Sequence, residues 1–92
     1  MGVIRLTVQL ICANEGQTAL VLSHLPEYIR LTRAEPDCIS FEVRQSADPL
    51  VWDVAEVFSS RAAFEAHQAR AAASAWGRAT KGIERQYVIT ED

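Results

Sequence analysis

The stretch Thr32-Arg33-Ala34-Glu35-Pro36-Asp37-Cys38-Ile39-Ser40-Phe41-Glu42 separates a strand and a helix from the strands that return after them. Proline clashes with a helical conformation at the preceding residue, so a helix running through Ile29-Arg30-Leu31 should end at Glu35. Pro36-Asp37 is typical of a turn. From Cys38 to Gln45, apolar and polar residues alternate as in a β-strand. The stretch therefore predicts a helix, a turn and a strand in immediate succession.

Before this turn, the sequence predicts one strand and one long helix. Val3 to Cys12 alternates in type, with one apolar face formed by Ile4, Leu6, Val8 and Leu10. Asn14, followed three residues later by Gln17, resembles the capping box that begins a helix. Pro26 lies inside the helical pattern and either kinks one helix near Leu22 or begins a second helix. The apolar stripe of this segment has helical spacing and consists of Val21, Leu22, Leu25, Tyr28, Ile29 and Thr32.

After the turn, the pattern predicts a hairpin, a second helix and a last strand. Cys38–Ser46 and Leu50–Phe58 are the hairpin strands, joined by Ala47-Asp48-Pro49, and Gln86–Thr90 is the last strand. The order strand–helix–strand–strand–helix–strand is that of the ferredoxin-like α+β fold, βαββαβ. With right-handed crossovers, this order gives a four-stranded antiparallel sheet with both helices on one face.

The second helix has a clear start and an alanine-rich course. Ser59 or Ser60 should cap it, because a serine side chain accepts a hydrogen bond from a free backbone N–H group at a helix start. Ala69 to Ala79 should continue the helix, since alanine loses little entropy in that state. A break is expected near Gly77, and Gly82 is a natural terminator.

Length and charge limit the functional classes. The 92 residues predict a single domain, 1–92, and the net charge of −3 argues against nucleic acid or an anionic membrane as partner. No apolar run approaches the roughly 20 residues that a membrane span needs, and the N-terminal residues show no signal-peptide pattern. We therefore expect a soluble, cytoplasmic protein.

The search for known catalytic and binding motifs gives mainly exclusions. The glycines are scattered, so no phosphate-binding loop is indicated, and the histidines and cysteines lack metal-ligand spacing. The chain is short for a flavin or nicotinamide fold. There is also no evident cluster of basic residues for a phosphate group. We therefore expect no bound cofactor and no metal.

A candidate pocket lies between the sheet and the helices. Trp52 and Glu56 share one face of the third strand, and a buried carboxylate is unfavourable unless it is paired or hydrogen-bonded. Phe64 and His67 are three residues apart on the second helix, so they share the face that should meet the sheet. The sequence leaves a purely structural alternative open: a satisfied core histidine, core tryptophans and a Glu56 paired with an arginine.

Two further aromatic residues extend this candidate site. Trp76 follows the small residues Ala71, Ala72, Ala73 and Ser74, which leave room for a ligand, and Tyr28 could enter from the first helix. The opposite face of the sheet mixes small, charged and β-branched residues, which suits an ion-paired interface of a homodimer better than bare solvent. Its predicted members are Arg5, Thr7, Gln9, Ser40, Glu42, Arg44, Asp53 and Ala55, with Val3, Ile11, Val51 and Val57 among them.

Two motifs resemble the antibiotic biosynthesis monooxygenase family. One is a helix ending in T-R-A-E-P-x-C before a strand with an aromatic residue and a glutamate, and the other is Ser-x-x-Ala-Phe-Glu-Ala-His from Ser60 to His67. The resemblance implies a dimeric α+β barrel, in which two sheets face each other. The chain departs from the family where Ser-Pro-His-Phe often follows the second helix, because Ala72-Ala73-Ser74-Ala75-Trp76 lacks that histidine.

The family includes cofactor-free oxygenases of quinols and anthrones, and the resemblance implies such an activity on an electron-rich aromatic molecule. In this hypothesis His67 accepts a proton or pairs with the substrate anion, and Glu56 orients His67. The substrate-binding walls are Tyr28, Trp52, Phe64 and Trp76. The alternative is a homodimer of the same fold that binds a small ligand without catalysis.

Overall fold

A computed structural model describes residues 2–92 and confirms the βαββαβ order of the ferredoxin-like α+β fold. A short third helix follows a break in the alanine-rich segment and precedes the last strand. The elements are β1 (Ile4–Ile11), α1 (Glu15–Arg33), β2 (Cys38–Gln45), β3 (Val51–Phe58), α2 (Arg61–Ala73), α3 (Ala75–Ala79) and β4 (Glu84–Glu91).

The four strands form one antiparallel sheet in the order β2-β3-β1-β4, with the helices on one face. Strand alternation decides which side chains meet the helices. The predicted apolar face of β1 is buried, and Leu6 lies opposite Glu56 of β3 on one side and Ile89 of β4 on the other. Glu56 therefore points into the layer between the sheet and the helices.

A single helix, α1, carries the chain to the turn that divides the sequence. Asn14 caps its start by accepting a hydrogen bond from the Gln17 backbone N–H group over 3.0 Å. Pro26 lies inside this continuous helix, so the alternative of two separate helices is wrong. Leu22 was wrongly included in the buried stripe: it is 55% exposed, because it lies one position off the spacing of the buried residues Val21, Leu25, Tyr28 and Thr32.

The break between α2 and α3 is at Ser74, three residues before the glycine where it was expected. Ser74 is extended, and its side chain caps α3 by accepting a hydrogen bond from the Gly77 backbone N–H group over 3.2 Å. Glycine is required at position 77 for a steric reason, because a β-carbon there would lie 2.2 Å from the Ala71 carbonyl oxygen. Ser60 caps α2, and α3 ends at Ala79, before Gly82.

The predicted polar members of the sheet face away from the helices are exposed in the single chain, and its Val and Ile members are half-buried. The edge strand β4 is accessible on both faces, since Tyr87 and Ile89 on the helix side and Val88 on the open side are all about half exposed or more. None of the helices in residues 2–92 combines the length and apolar composition needed to cross a bilayer. The cytoplasmic location stays a prediction.

Candidate functional site

A cleft of about 260 Å³ lies between the sheet and the helices. Its floor is apolar and comes from β1 and β3, whereas its walls come from α1, α2, α3 and the start of β4. The lining residues are Leu6, Val8, Leu10, Tyr28, Val54, Glu56, Gln68, Ala71, Ala72, Trp76, Gly77, Lys81, Arg85 and Tyr87.

Two stacked aromatic rings form one wall of the cleft. The rings of Tyr28 and Trp76 lie 4.6 Å apart between centroids and within 5° of parallel. Phe41 meets the tyrosine ring edge-on, at 5.5 Å between centroids and an interplanar angle of 84°. These contacts hold Tyr28 from two sides, and edge-to-face and stacked arrangements are both favourable for aromatic pairs. The two stacked rings therefore cover each other's faces and form a rigid part of the wall.

Behind this wall, His67 connects three side chains from different elements. Its Nδ1 atom is 2.9 Å from Glu35 Oε1, and its Nε2 atom is 3.1 Å from the Tyr28 hydroxyl oxygen. Nε2 is also 3.3 Å from Glu56 Oε1. The imidazole is 1% exposed, so it contacts the cleft only through its neighbours Tyr28 and Glu56. This arrangement links a buried base to two cleft-lining groups.

Glu56 is the buried carboxylate of the cleft. The residue is 5% exposed, and its Oε1 atom lies within ion-pairing distance of His67. Hydrogen-bond geometry at Nε2 is met with Tyr28 and not with Glu56, so within residues 2–92 this carboxylate oxygen has no hydrogen-bond donor. A buried polar atom without a partner is unfavourable, and a ligand donor in the cleft would satisfy it.

Sequence reasoning missed Glu35 as part of the site. Glu35 follows the end of α1, and its carboxylate accepts hydrogen bonds from His67 Nδ1 and from Arg70 Nε. Arg70 also donates to the Thr32 hydroxyl oxygen over 3.2 Å. The sequence treats Glu35 only as the residue before a proline, and no spacing rule pairs it with a helix that begins 26 positions later. Only the packing of α2 against α1 reveals the contact.

The surroundings of His67 and Tyr28 shift both pKa values upward. Burial lowers the pKa of His67, but its contacts with the carboxylates of Glu56 and then Glu35 outweigh burial and raise the pKa above its usual 6.5. Burial, reinforced by the charge of Glu56, raises the pKa of Tyr28 far above its usual value. When His67 is protonated, both ring nitrogens are donors, and the Tyr28 hydroxyl oxygen then accepts the hydrogen bond from Nε2.

Four of the six predicted site residues come together here, namely Tyr28, Glu56, His67 and Trp76. Trp52 and Phe64 are buried but do not line the cleft, and Phe64 packs against Phe58 with ring centroids 6.0 Å apart. Among the described residues, no group of three or more His, Cys, Asp or Glu side chains could hold a metal ion.

The cleft also has two basic residues at its mouth, although the sequence showed no basic cluster. Lys81 and Arg85 both line it, brought together by the loop between α3 and β4. A second, larger concavity of about 680 Å³ lies on the open face of the sheet, lined by side chains of all four strands.

A comparison with known protein families identifies the family to which this sequence belongs. The sequence profile described as antibiotic biosynthesis monooxygenase matches residues 5–79, which is most of the chain. The chain belongs to the antibiotic biosynthesis monooxygenase family. The matched range includes Tyr28, Glu35, Glu56, His67 and Trp76, while Lys81 and Arg85 lie beyond it. No curated protein sequence matches the chain significantly.

Solved structures share the fold of this antibiotic biosynthesis monooxygenase family member. A crystal structure of an antibiotic biosynthesis monooxygenase is 22% identical, with a TM-score of 0.77 and coverage of 97% of each chain. A Bacteroides thetaiotaomicron protein described as a possible oxidoreductase is 20% identical, with a TM-score of 0.77 and coverage of 99% of this chain and 98% of that chain. PA3566 from Pseudomonas aeruginosa is 18% identical, with a TM-score of 0.79 and coverage of 100% and 95%.

Proposed function

We propose that this protein is a cofactor-independent monooxygenase that acts on a small hydroquinone or similar electron-rich aromatic molecule. The observation that carries the proposal is the Oε1 atom of Glu56, which is buried at the cleft, lies 3.3 Å from His67 Nε2 and has no hydrogen-bond donor among residues 2–92. A phenolic hydroxyl group is a donor that would satisfy this oxygen, and deprotonating that group is the first step of the proposed reaction.

We assign the proton acceptor to Glu56 and a supporting role to His67. The sequence-based hypothesis gave these roles in the opposite order, but Glu56 lines the cleft and His67 lies behind it. In this assignment His67, whose Nε2 atom is 3.3 Å from Glu56 Oε1, positions the Glu56 side chain, and the Tyr28 hydroxyl donates to the developing phenolate. The buried apolar floor keeps water away from the anion.

The deprotonated ring then transfers one electron to dioxygen, and the resulting radical pair combines at a ring carbon as a peroxide. Loss of water from this peroxide leaves one oxygen atom on the ring. For a hydroquinone the balance is one substrate and one dioxygen giving one hydroxyquinone and one water. The substrate supplies all four electrons, so the step requires no further reductant. The protein contributes the base, the hydrogen bonds and the dry surface.

The size of the cleft favours substrates of one or two rings. Its volume of about 260 Å³ is below the range of about 300–1,000 Å³ that is usual for drug-sized ligands. A three-ring anthrone fits this volume poorly, whereas a hydroquinone leaves space for a substituent.

The second candidate is a non-catalytic protein that binds a small ligand in the same cleft. The cleft is only partly enclosed, and in this alternative Glu56 and His67 serve only to bind a hydroxyl group of the ligand. Oxygen uptake separates the two functions. A panel of hydroquinones and naphthohydroquinones is mixed with the protein in an oxygen electrode, and the uptake is compared with the spontaneous rate in buffer.

The matched variants for this assay are Glu56→Gln and Glu65→Gln. Glu65 is an exposed carboxylate on α2 that does not line the cleft, so its substitution controls for the loss of one negative charge. We expect Glu56→Gln to lower the enzymatic rate at least a hundredfold, within the usual contribution of general base catalysis, while Glu65→Gln keeps it. Tight binding of hydroquinones without protein-dependent oxygen uptake would favour the binding protein.

We also propose a homodimer formed through the open face of the sheet. Proteins of this family are commonly dimers. In this chain the open face carries a large concavity, and Val88 beside it is 62% exposed. A second copy would cover this apolar strand edge, which is otherwise open to unwanted pairing. Light scattering that gives the 10.2 kDa monomer mass at micromolar concentration would contradict the dimer.

A further inference from the structure

Arg85 is held rigidly at the mouth of the cleft by neutral acceptors. Its Nη1 atom donates to the carbonyl oxygens of Thr80 over 2.8 Å and of Ile83 over 3.1 Å. Its Nη2 atom donates to the Thr80 hydroxyl oxygen over 2.7 Å. That hydroxyl group donates in turn to the carbonyl oxygen of Trp76 over 2.7 Å, so the arginine is tied to the aromatic wall.

These contacts leave one side of the Arg85 guanidinium group unused. A guanidinium group has five N–H donors, of which the three hydrogen bonds occupy both on Nη1 and one on Nη2. The remaining donors, on Nε and Nη2, are parallel and adjacent, which is the arrangement that binds the two oxygens of a carboxylate. Pre-orientation by the loop carbonyls reduces the entropy lost when such a ligand binds.

The positive charge at this end of the cleft is not neutralised by the protein. Within residues 2–92, neither Arg85 nor Lys81 lies within 4.0 Å of a carboxylate oxygen. Both residues line the cleft, and Lys81 is exposed. Two free cations beside a preformed donor pair constitute a site for an anionic group.

The register of the sheet sets the distance between this cationic end and Glu56. Leu6 lies opposite Glu56, and Leu10 lies opposite Arg85, with all four side chains on the helix-facing side. Four residues of strand correspond to about 13 Å along β1, and because β3 and β4 flank β1, Glu56 and Arg85 are also about 10 Å apart across the strands, which gives roughly 16 Å between their Cα atoms. The Arg85 guanidinium group is held by Thr80 and Ile83 of the loop before β4, and Glu56 Oε1 lies beside His67, so a ligand that contacts both must span the apolar floor between them. The cleft is therefore bipolar, with an acceptor at one end and donors at the other.

We propose that the substrate is a hydroxylated aromatic acid, whose phenolic group meets Glu56 and whose carboxylate is bound by the free donors of Arg85 with Lys81 nearby. The inference rests on the proposed function for the role of Glu56 and specifies its substrate class. Charge-assisted hydrogen bonds of this kind strengthen binding by roughly tenfold or more.

The test is anaerobic calorimetry, so that binding is measured without turnover. The probes are para-hydroxybenzoate, para-hydroxyphenylacetate and para-hydroxyphenylpropionate, each paired with its neutral methyl ester. We expect at least one acid to bind ten or more times more tightly than its ester. Equal affinities of acids and esters throughout the series overturn the proposal. Inorganic phosphate that competes as well as the best acid also overturns it, because the site would then take tetrahedral anions.

Variants of Arg85 and Lys81 test whether these residues cause the preference for the acid over its ester. Arg85→Lys keeps the charge but removes the paired donors, so the acid should lose at least fivefold in affinity while its ester is unaffected. Lys81→Gln, at an exposed position without contacts to preserve, should also weaken only the acid. Arg78→Gln is the matched control, because Arg78 likewise donates to a backbone carbonyl, that of Ala73, but does not line the cleft.

Two outcomes distinguish this inference from the proposed oxygenase activity. If the Arg85→Lys variant does not fold, two measurements still test the anionic substrate. These are the ratio of acid affinity to ester affinity in the unaltered protein and the change in that ratio in Lys81→Gln. An acid preference that disappears in these variants supports the anionic substrate even if no oxygen uptake is found. If the protein oxidises neutral hydroquinones as fast as hydroquinones that carry a carboxylate, the result supports the oxygenase activity and overturns the proposal of an anionic substrate.

Discussion

Replacing Glu35 with glutamine tests whether this missed residue controls the charge of His67. The Glu35 carboxylate lies 2.9 Å from His67 Nδ1 and is one of two carboxylates that raise the pKa of the imidazole. Glutamine keeps a hydrogen-bond acceptor but removes the charge. The pKa of His67 should therefore fall in Glu35→Gln, because one of the groups that favour the cationic imidazole is lost.

The magnitude follows from the difference between charged and neutral hydrogen bonds. A hydrogen bond to a charged group contributes about 1.5–3 kcal/mol to stability, and a neutral one about 0.5–1.5 kcal/mol. Glu35→Gln should therefore lower the free energy of unfolding by about 1 kcal/mol more when His67 is charged than when it is neutral. For a domain of this size, that corresponds to a difference of about 4–8 °C in Tm. Glu35→Gln also weakens the contact with Arg70, and the resulting loss in the free energy of unfolding does not depend on the protonation of His67.

The sign of the pH dependence follows from the raised pKa. A histidine whose pKa is higher in the folded state stabilises the fold fully below its unfolded value, near 6.5, and this contribution is lost as the pH rises through the folded value. The gap in Tm between the unaltered protein and Glu35→Gln should thus be largest at about pH 6 and narrow toward about pH 9.

The assay combines thermal melts across this range with an NMR titration of His67. His24, the other histidine, gives an internal reference signal. Glu27→Gln is the matched control, because Glu27 is an exposed carboxylate of α1 whose ion pair with Arg30 is remote from the site. A His67 titration curve that is unchanged in Glu35→Gln, with a Tm gap that does not vary with pH, would refute the reasoning.

Three further predictions concern the fold. Gly77→Ala should lower the free energy of unfolding by about 1–3 kcal/mol and narrow the cleft, because the new β-carbon clashes with the carbonyl oxygens of Ala71 and Ala72. Urea titrations measure this effect, and Gly82→Ala is the control because the space around Gly82 is open. Pro26→Ala should stabilise α1 by about 1 kcal/mol or more by restoring a helical hydrogen bond, and a clear loss in a thermal melt would reject this. If the proposed dimer forms through the open face, Val88→Lys should give the monomer mass in light scattering, whereas Leu22→Lys, similarly exposed but on α1, should not.

The fold followed from local patterns because those patterns act within a few residues. The proline after Glu35, the alternation of β1 and the serine before α2 each act on the adjoining backbone, and together they predict the element order. The break at Ser74 was misplaced for the same reason. A serine in an alanine-rich segment reads as helical, and only the capping hydrogen bond to Gly77 distinguishes it.

The candidate site was predicted only where strand or helix spacing determines direction. Alternation in β3 turns Glu56 inward, and the spacing of α2 turns His67 toward it. Glu35 and Arg85 could not be predicted, since each lies at the edge of an element and reaches the site through a loop. The contact of Glu35 depends on how α2 crosses α1, and that of Arg85 on the loop after α3.

The central claim is that His67 and Glu56 serve the chemistry of the cleft and not only the stability of the fold. Oxygen uptake by His67→Ala, measured with a hydroquinone that the unaltered protein oxidises, tests this most directly when the Tm is recorded on the same sample. The account predicts that uptake falls at least tenfold in protein that is still folded at the assay temperature, although the Tm is lowered because the contacts of the buried imidazole with Glu35, Tyr28 and Glu56 are lost. Uptake at the unaltered rate in a folded His67→Ala protein would contradict it.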